Sequence, residues 1–499
     1  MNTPSRQTSP VAPFDAVRAF TDISAQWDGD ILTQLMEYLA IPAKSPAFDP
    51  DWVAHGHLET VLRNAARWIE AQKIAGLKVE IVRLEGRTPL LFFEVAAHGT
   101  ALRETVLMYG HMDKQPEFSG WRSDLGPWTP KYEDGRLYGR GSADDGYAVY
   151  AGIAALRAIQ AQDVAHPRII GLIETCEESG SPDLLSYVNA LRARLGEVGL
   201  VICLDSGAGD YDRLWLTPSL RGLASGTLKV QVLTEGVHSG DASGLVPSSF
   251  RIMRQLLDRL EDSQTGRLLP ASLHCAIPAE RLEQARATAA ILGDTLYRPF
   301  PWAPSAGAGG ADDGAHVQPA TTDPLQALLA RTWHPTLSVI SAEGFAPPRD
   351  AGNVLRPFTA LKLSLRLPPR VDAARAVRDV KALLEARPPY RAQVSFVGGG
   401  SANGWDAPPM PAWFTHALDA ASSAHFGAPC GFIGQGGTIP LMNMLSASFP
   451  KAQMMVCGVL GPNSNAHGPN EFLHVPYVKK LTAAVAGVIA AWPLAQAEP

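Results

Sequence analysis

Two adjacent carboxylates, Glu177 and Glu178, follow a short apolar run, "PRIIGLIET", that is typical of a buried strand. Neighbouring side chains on a strand point to opposite faces, so two acids that emerge together predict a loop that directs both at a positive charge. Taken alone, the pair is more simply explained as a solvated turn. The ends of the other predicted strands decide between these interpretations.

Other acids and histidines follow predicted strands in the same way. They are His111 and Asp113 in "LMYGHMD", Asp144 and Asp145 in "LYGRGSADDG", Asp205 in "VICLDSG", and His467 in the loop after "QMMVCGVLG". In an α/β sheet the ligand site lies beyond the carboxyl ends of the strands. Each residue alone could be a turn former or a polar loop residue. Their shared position predicts one common site.

Several carboxylates that converge repel one another and resist ionisation unless a cation neutralises them. Histidine and carboxylate ligands without cysteine suit Zn²⁺, and Mn²⁺ or Co²⁺ could substitute for it. The residue types therefore predict a site for divalent metal.

Two patterns of secondary structure must position these residues. Over the first 220 residues, helical patterns alternate with short strands such as "TVLMYGH" and "GLVICLDS", which predicts an α/β domain with a mainly parallel sheet. From residue 219 the order becomes strand-helix-strand-strand-helix-strand, which is ferredoxin-like, with a Gly- and Ala-rich loop at 303–316. After residue 400 the α/β pattern returns. We therefore predict a site-bearing domain formed by 1–218 and 401–499, with a second domain, 219–400, inserted into it.

Composition excludes several classes of partner. The 43 Lys and Arg residues against 49 Asp and Glu give a net charge of -6, which provides no basic field for nucleic acid. The five cysteines are far apart in mostly apolar segments, as expected of reduced core thiols. The N-terminus lacks a secretory apolar stretch, and the apolar run "LTAAVAGVIAAWPL" is too short to cross a bilayer. We expect a cytoplasmic protein with no membrane or nucleic-acid partner.

The motifs as a series resemble a known family. In chain order, "GHMD", "DGRLYGRGSADDG", "ETCEESGS", "ICLDS", "GVHSG" and "GQGGTIP" resemble the signatures of the two-metal exopeptidases, which include carnosinase, cytosolic nonspecific dipeptidase, aminoacylase and succinyl-diaminopimelate desuccinylase. The dipeptidase branch is the most similar, through "LTPSLRGLASGTLKVQV" and "GVHSGDASGLVPSS". The resemblance implies a zinc-exopeptidase-like catalytic domain whose inserted ferredoxin-like domain serves as a lid and dimerisation domain.

The same resemblance implies a ligand set for two divalent metal ions per subunit. Asp144 would bridge the two ions. His111 and Asp205 would complete the ligands of one ion, and Glu178 and His467 those of the other.

Three further residues receive catalytic roles from the resemblance. Glu177 would be the general base, so that one acid of the pair binds metal and its neighbour moves a proton. Asp113 would orient the imidazole of His111. His238 would reach the active site of the partner subunit and stabilise the oxyanion, which makes a homodimer the expected active form.

Substrate recognition is also implied by the resemblance. Arg366 and Asn353 fall where the dipeptidase branch holds the substrate carboxylate, and a guanidinium can grip a carboxylate with two parallel hydrogen bonds. Thr438 would add a further hydrogen bond.

The chain departs from the pattern of the family at three positions. The lysine usual two places after the bridging aspartate is missing, because Asp144 is followed by Asp145 and Gly146. Gln435 stands where dipeptidases often carry an acid, and Asn353 replaces a hydroxyl residue. None of these changes removes a predicted metal ligand, so they bear on the substrate and leave the chemistry unchanged.

The expected activity is hydrolysis of the amide bond of dipeptides or short peptides with a free C-terminal carboxylate, through a hydroxide that bridges the two metals. An N-acyl-amino-acid amidohydrolase with the same site is the alternative. A non-catalytic binding protein on the same fold is a third interpretation, since a fold alone does not guarantee activity.

Overall fold

A computed structural model of the protein describes residues 13–304, 316–437 and 440–495. The chain divides into two compact units. The first contains the described residues up to Thr217, Ala407–Ile433 and those from Met444 onwards; the second contains Pro218–Asp406 and Gly434–Asn443. The predicted residue Thr438 and most of the predicted loop at 303–316 lie outside the described residues. The predicted role of residues 219–400 as a lid and dimerisation domain stays a prediction.

The first unit is built on a six-stranded mixed sheet. Its strands are, in spatial order, Leu77–Val82, Leu90–Val95, Arg168–Glu174, Thr105–His111, Val198–Cys203 and Gln453–Val456. The last four pair in parallel, whereas Leu90–Val95 is antiparallel to both of its neighbours. Every residue of Thr105–His111 is buried, as expected of a central strand covered on both faces. The predicted mainly parallel α/β domain is confirmed.

The first unit also contains helices. They are Ala16–Gln26, Leu32–Leu39, Trp52–His55, His57–Ala71, Ala148–Gln160, Leu184–Ala190, Arg192–Leu195, Ala412–Phe426 and Val475–Ala495, and the helix Pro440–Ser448 begins in the second unit and ends in the first. By length and composition alone, Val475–Ala495 could cross a membrane, but 67% of its apolar window is buried inside the protein. The helix begins upstream of the apolar run "LTAAVAGVIAAWPL", so it is longer than the run that was judged too short to cross a bilayer. Its side chains belong to the same hydrophobic core as those of Ala148–Gln160, so it packs as a core helix.

Two small sheets complete the first unit. Lys131–Glu133, Arg136–Tyr138 and Phe472–His474 form an antiparallel three-stranded sheet. This sheet places the loop before Phe472–His474 beside the turn that follows Arg136–Tyr138. The second is a short parallel pair, Trp215–Leu216 with Gly431–Phe432.

The second unit has the ferredoxin-like arrangement predicted from the sequence. Its antiparallel sheet has the order Thr336–Glu343, Phe358–Leu367, Gly222–Gln231 and Gln393–Ala402. The helices of this unit are Ser239–Ala242, Ser249–Leu257, Ala279–Leu292, Pro324–Thr332 and Ala373–Glu385, and two short strand pairs join Val237–His238 to Val354–Leu355 and Ser219–Leu220 to Trp405–Asp406. Ser249–Leu257 and Ala373–Glu385 pack on one face of the sheet and form its core.

The five cysteines are unpaired, and four of them are buried. This state agrees with the predicted reduced core thiols. The cytoplasmic location that these thiols suggested stays a prediction.

Candidate metal centre

Three neighbouring parallel strands deliver the first candidate ligands to one edge of the sheet. His111 is the last residue of its strand, and Asp205 follows the end of Val198–Cys203 by two residues. On the other side, Arg168–Glu174 leads into the short 3₁₀ turn Glu177–Ser179. Because parallel strands end at the same edge, residues distant in sequence meet there.

The first group of ligands is His111, Asp144 and Asp205, whose donor atoms all lie within 4.8 Å of one another. The His111 Nε2 atom lies 3.3 Å from Asp144 Oδ1 and 3.9 Å from Asp205 Oδ2. All three residues are buried. Ligands bound tetrahedrally at about 2.0–2.2 Å from zinc lie about 3.3–3.6 Å apart, so this spacing fits one metal ion.

The second group is Asp144, Glu178 and His467. The His467 Nε2 atom lies 2.9 Å from Asp144 Oδ2 and 3.2 Å from Glu178 Oε2, and the Gln115 amide donates to Glu178 Oε2 at 2.6 Å. His467 holds a left-handed backbone, with φ 62°, and a non-glycine residue adopts this at a cost of about 1–2 kcal/mol. Asp144 therefore offers one oxygen to each group, as a bridging carboxylate would.

The electrostatics of the acids fit a site that receives cations. Burial and then the charge of Asp144 raise the pKa of Asp205 to about 7. Burial and then Asp205 raise the pKa of Glu177 well above its usual range, and burial and Asp144 raise the pKa of Glu178. Bound divalent cations would reverse this like-charge repulsion and favour the ionised forms.

The two histidines lower the pKa of Asp144. Burial opposes ionisation of Asp144, but the hydrogen bonds and charges of His111 and His467 hold its pKa below its usual range. Burial opposes protonation of His467, but Asp144 and Glu178 raise its pKa to about 11. The imidazoles of His111 and His467 therefore offset the negative charge of Asp144.

Asp113 anchors the turn that carries the paired acids. It is fully buried, its Oδ1 accepts the backbone N–H of Glu177 at 3.1 Å, and its Oδ2 accepts that of Glu178 at 3.0 Å. The His111 Nδ1 atom lies 3.2 Å from the Asp113 carbonyl oxygen and 3.4 Å from its carboxylate. A proton on Nδ1 leaves Nε2 free to bind metal. Asp113 thus touches both the histidine that it was expected to orient and the turn of the two glutamates.

A second buried acid, Glu471, was not among the predicted site residues. Its carboxylate accepts the backbone N–H groups of Gly141, Ala143 and Asp144 at 3.1–3.3 Å and the Arg140 guanidinium at 2.7 Å. Arg140 also donates to the Gly468 carbonyl at 2.7 Å. These bonds join the turn of Asp144 to the loop of His467. The sequence signal was an acid four residues after a candidate ligand, in "HGPNE".

The missing lysine at position 146 has a steric explanation. A Cβ atom on Gly146 would lie 2.1 Å from Cε1 of Tyr38, whose ring fills that space. The extra acid, Asp145, is buried, and among the described residues neither of its carboxylate oxygens has a hydrogen-bond partner. Burial and then Asp205 raise the pKa of Asp145 well above its usual range.

Three predicted residues lie in the second unit. His238 is 68% exposed, and its Nδ1 accepts the Gly240 N–H at 3.2 Å. Asn353 is close to it in the fold, because the Asn353 carbonyl accepts the Ser239 N–H at 2.9 Å beside the pair of Val354 with His238. Arg366 is half-buried on the strand Phe358–Leu367. Thr438, the last predicted substrate contact, lies outside the described residues.

Known proteins resemble this chain in sequence and in fold. A cysteinylglycine-S-conjugate dipeptidase of Corynebacterium striatum is 28% identical over 377 residues, which are 74% of this chain and 76% of that protein. The structure of human carnosine dipeptidase 1 has a TM-score of 0.71 at 21% identity, with 97% of this chain and 100% of that chain covered.

A further structural neighbour is a Bacillus subtilis protein described as a dinuclear metal-binding peptidase, with a TM-score of 0.55 at 11% identity over 94% of this chain and 98% of that chain. The model of peptidase family M20/M25/M40 matches residues 107–491, which include every candidate ligand of the metal centre. With this match across most of its length, the chain belongs to peptidase family M20/M25/M40 and is a metallopeptidase.

Proposed function

We propose that the protein is a dipeptidase that hydrolyses the amide bond of dipeptides or short peptides with a free C-terminal carboxylate. The observation that carries this proposal is the position of Asp144, which offers one oxygen to each of two ligand groups. The dipeptidases among the relatives support the substrate class.

Two divalent cations fit the donor set, with Zn²⁺ preferred and Mn²⁺ or Co²⁺ as alternatives. His111, Asp144 and Asp205 would hold one, and Asp144, Glu178 and His467 the other. When bound, such a pair lowers the pKa of water to about 7 and polarises the carbonyl of the substrate.

Glu177 is the proposed proton carrier. It belongs to neither ligand group, yet it shares a turn with Glu178 and is half-buried. Its carboxylate would take a proton from the attacking water and pass it to the leaving amine. Burial raises the pKa of the Glu177 carboxyl, which favours retention of that proton between the two steps.

The second unit supplies the proposed contacts to the substrate. Arg366 and Asn353 would bind the C-terminal carboxylate, with Thr438 adding a hydrogen bond. His238 would stabilise the oxyanion in the active site of the partner subunit, so a homodimer would be the active form. The high exposure of His238 is compatible with such a contact.

The experiment compares Glu177→Gln with Glu178→Gln. Both changes remove one negative charge from the same turn, but only Glu178 belongs to a ligand group. We expect Glu177→Gln to retain two equivalents of metal, measured by elemental analysis, and to lose about three orders of magnitude or more in kcat. Glu178→Gln should lose metal as well as activity. Near-normal turnover by Glu177→Gln would remove it from the role of base.

A second candidate is hydrolysis of N-acyl amino acids by the same site. Gln435 favours it, because an amide stands where an acid would bind the amino group of a dipeptide. A panel of dipeptides assayed beside N-acetyl and N-succinyl amino acids separates the two. Absence of any hydrolysis by the metal-loaded protein would instead favour the non-catalytic binding protein.

A further inference from the structure

Lys114, the residue that follows Asp113, is fully buried. Its ammonium donates to the backbone carbonyls of Ile41 at 2.8 Å, Tyr38 at 2.9 Å and Leu39 at 3.4 Å. Among the described residues, all of its hydrogen-bond acceptors are carbonyls. A lysine is almost never fully buried unless partners compensate its charge. The three carbonyls therefore identify the part of the chain that this lysine holds in place.

These carbonyls belong to the end of the helix Leu32–Leu39 and to the residues after it. The last carbonyls of a helix have no partner within the helix, and a cation beside them is favoured by the helix dipole. The Lys114 Nζ atom also lies 3.9 Å from the centre of the Tyr38 ring and 5.2 Å from that of the Trp128 ring, where cation–π attraction adds to the hydrogen bonds. Lys114 thus fixes the end of this helix.

The chain that Lys114 fixes continues to the turn of the paired glutamates. We call residues 38–47 the 38–47 segment. The Ser45 N–H donates to the Lys114 carbonyl at 3.0 Å, and the hydroxyl groups of Ser45 and Ser179 are hydrogen-bonded at 2.6 Å. The Ala47 N–H donates to Ser179 Oγ at 2.9 Å. Because Ser179 is the last residue of the turn that carries the paired glutamates, the 38–47 segment joins Lys114 to this turn.

Lys114 also packs against the turn that carries Asp144. A Cβ atom on Gly141 would lie 3.0 Å from Lys114 Cγ and 3.1 Å from Lys114 Cε. The glycine at this position therefore leaves room for the stem of the lysine. The lysine usual in the family is missing from position 146 of the same turn. In this chain a lysine from another loop lies beside the turn instead.

The contacts of Lys114 depend on its ammonium group. Burial lowers the pKa of Lys114 well below its usual range, and the charge of Glu471 opposes this shift. The three acceptors favour the charged form, because three hydrogen bonds require the three hydrogens of an ammonium. A methionine at this position would have a similar length but would leave the three carbonyls without a donor. The change would thus release the 38–47 segment while the core stays filled.

We infer that Lys114 is a positioning residue for Glu177. It acts through the 38–47 segment, which holds Ser179 at the end of the turn. Asp113 holds the start of the same turn through backbone N–H groups. The two anchors of the turn are therefore neighbours in the chain. The inference rests on the proposed function for the role of Glu177 as the base.

The kinetic test uses Lys114→Met in the metal-loaded protein, with the dipeptide that the wild type cleaves best. We expect kcat to fall about 10–100-fold, because the base is displaced, while KM and metal content stay within about twofold of the wild type. In the Glu177→Gln background, Lys114→Met should cause no further loss of kcat, since a residue that acts only through the base has no effect without it. A further loss of the same size would show that Lys114 does not act through Glu177.

Arg259→Met is the matched control. The Arg259 guanidinium also donates to carbonyls at the end of a helix, Ala373–Glu385 in the second unit, at distances of 2.5–3.2 Å. This change should lower the melting temperature and leave kcat unchanged. Ser179→Ala breaks the proposed connection at its other end and should also lower kcat with metal retained, even if Lys114→Met folds poorly. Wild-type kcat in Ser179→Ala would overturn the inference.

Amide hydrogen exchange, followed by mass spectrometry, gives a readout that does not need turnover. Exchange in residues 176–181 should be about tenfold faster in Lys114→Met than in the wild type, and unchanged in Arg259→Met. Unchanged exchange in Lys114→Met overturns the inference even if dipeptides are cleaved. Faster exchange in this turn of a protein that cleaves no dipeptide supports the connection from Lys114 to the turn and contradicts the dipeptidase. Exchange that is equally faster throughout the first unit would show that Lys114 serves stability alone, and the inference is then wrong.

Discussion

Replacement of Asp113 by asparagine tests how the turn of the paired glutamates is held. Both carboxylate oxygens of Asp113 accept backbone N–H groups, from Glu177 at 3.1 Å and from Glu178 at 3.0 Å. An asparagine has the same shape, but it presents an NH₂ group in place of one oxygen. One backbone N–H would then face a donor, and the other would keep a neutral acceptor.

The magnitude follows from these two bonds. A hydrogen bond to a charged group contributes roughly 1.5–3 kcal/mol and a neutral bond about 1 kcal/mol. Loss of one charged bond and weakening of the other should lower the free energy of unfolding by about 2–4 kcal/mol. Because the same turn carries the proposed base and a proposed metal ligand, kcat should fall about 10–100-fold.

Urea unfolding, metal content and steady-state kinetics measure these effects. Asp15→Asn is the matched control, since Asp15 also accepts two backbone N–H groups, from Val17 and Arg18, but lies exposed at the start of a helix. The control should cost less than about 1 kcal/mol and leave kcat unchanged. If Asp113→Asn were as stable and as active as the wild type, the two backbone bonds would not be what positions the turn.

Three further predictions follow from other contacts. Gly146→Ala should lower the free energy of unfolding by about 1–3 kcal/mol or more, because the new Cβ would lie 2.1 Å from Tyr38. In urea unfolding, the double variant Gly146→Ala/Tyr38→Ala should recover part of that loss. If the effects of the two substitutions simply added, the clash would be contradicted. Burial raises the pKa of Glu174 to about 7, so the stability that the protonated side chain contributes is present below about pH 4.5 and is lost as the pH rises through 7. Between pH 5 and pH 8 the free energy of unfolding of Glu174→Gln should therefore rise relative to that of the wild type, by up to about 3 kcal/mol. A difference that stays constant with pH would refute the shift. If the proposed homodimer is the active form, His238→Ala and Glu177→Gln should each be inactive alone. Unfolded and refolded together, they should regain about one quarter of wild-type activity, because half of the dimers would then carry one complete site. No recovery in confirmed mixed dimers would mean that His238 does not act across subunits.

The elements of the fold, and the meeting of the candidate ligands at one edge of the sheet, were predictable from the sequence. Thr105–His111 and Val198–Cys203 are short, apolar and rich in β-branched or aromatic residues, and a side chain able to bind metal stands at the end of the first and shortly after the second. The direction of parallel strands then brings His111 and Asp205 to one edge without knowledge of any distance. The shared location of these residues follows from topology, which local sequence patterns report well.

The contacts that hold those residues depend on distances that no local pattern records. The steric reason for Gly146 lies in Tyr38, more than a hundred positions earlier in the chain. The partner of Arg140 is Glu471, 331 positions later. The helix Val475–Ala495 is longer than the apolar run within it, because its first turns contain Lys479 and Lys480.

Two kinds of buried acid therefore make up the metal centre. The acids in the candidate ligand groups, such as Asp144 and Glu178, lie close together, and the charge of Asp144 raises the pKa of Glu178. The carboxylates of Asp113 and Glu471 instead accept hydrogen bonds from backbone N–H groups of the turns that carry the candidate ligands, and Glu471 also pairs with Arg140. Because the second kind is satisfied without metal, the turns can be held in place before a cation arrives. In the proposed centre, the acids of the ligand groups would contribute affinity for the cation, and the backbone-bound acids would fix the spacing at which it is bound.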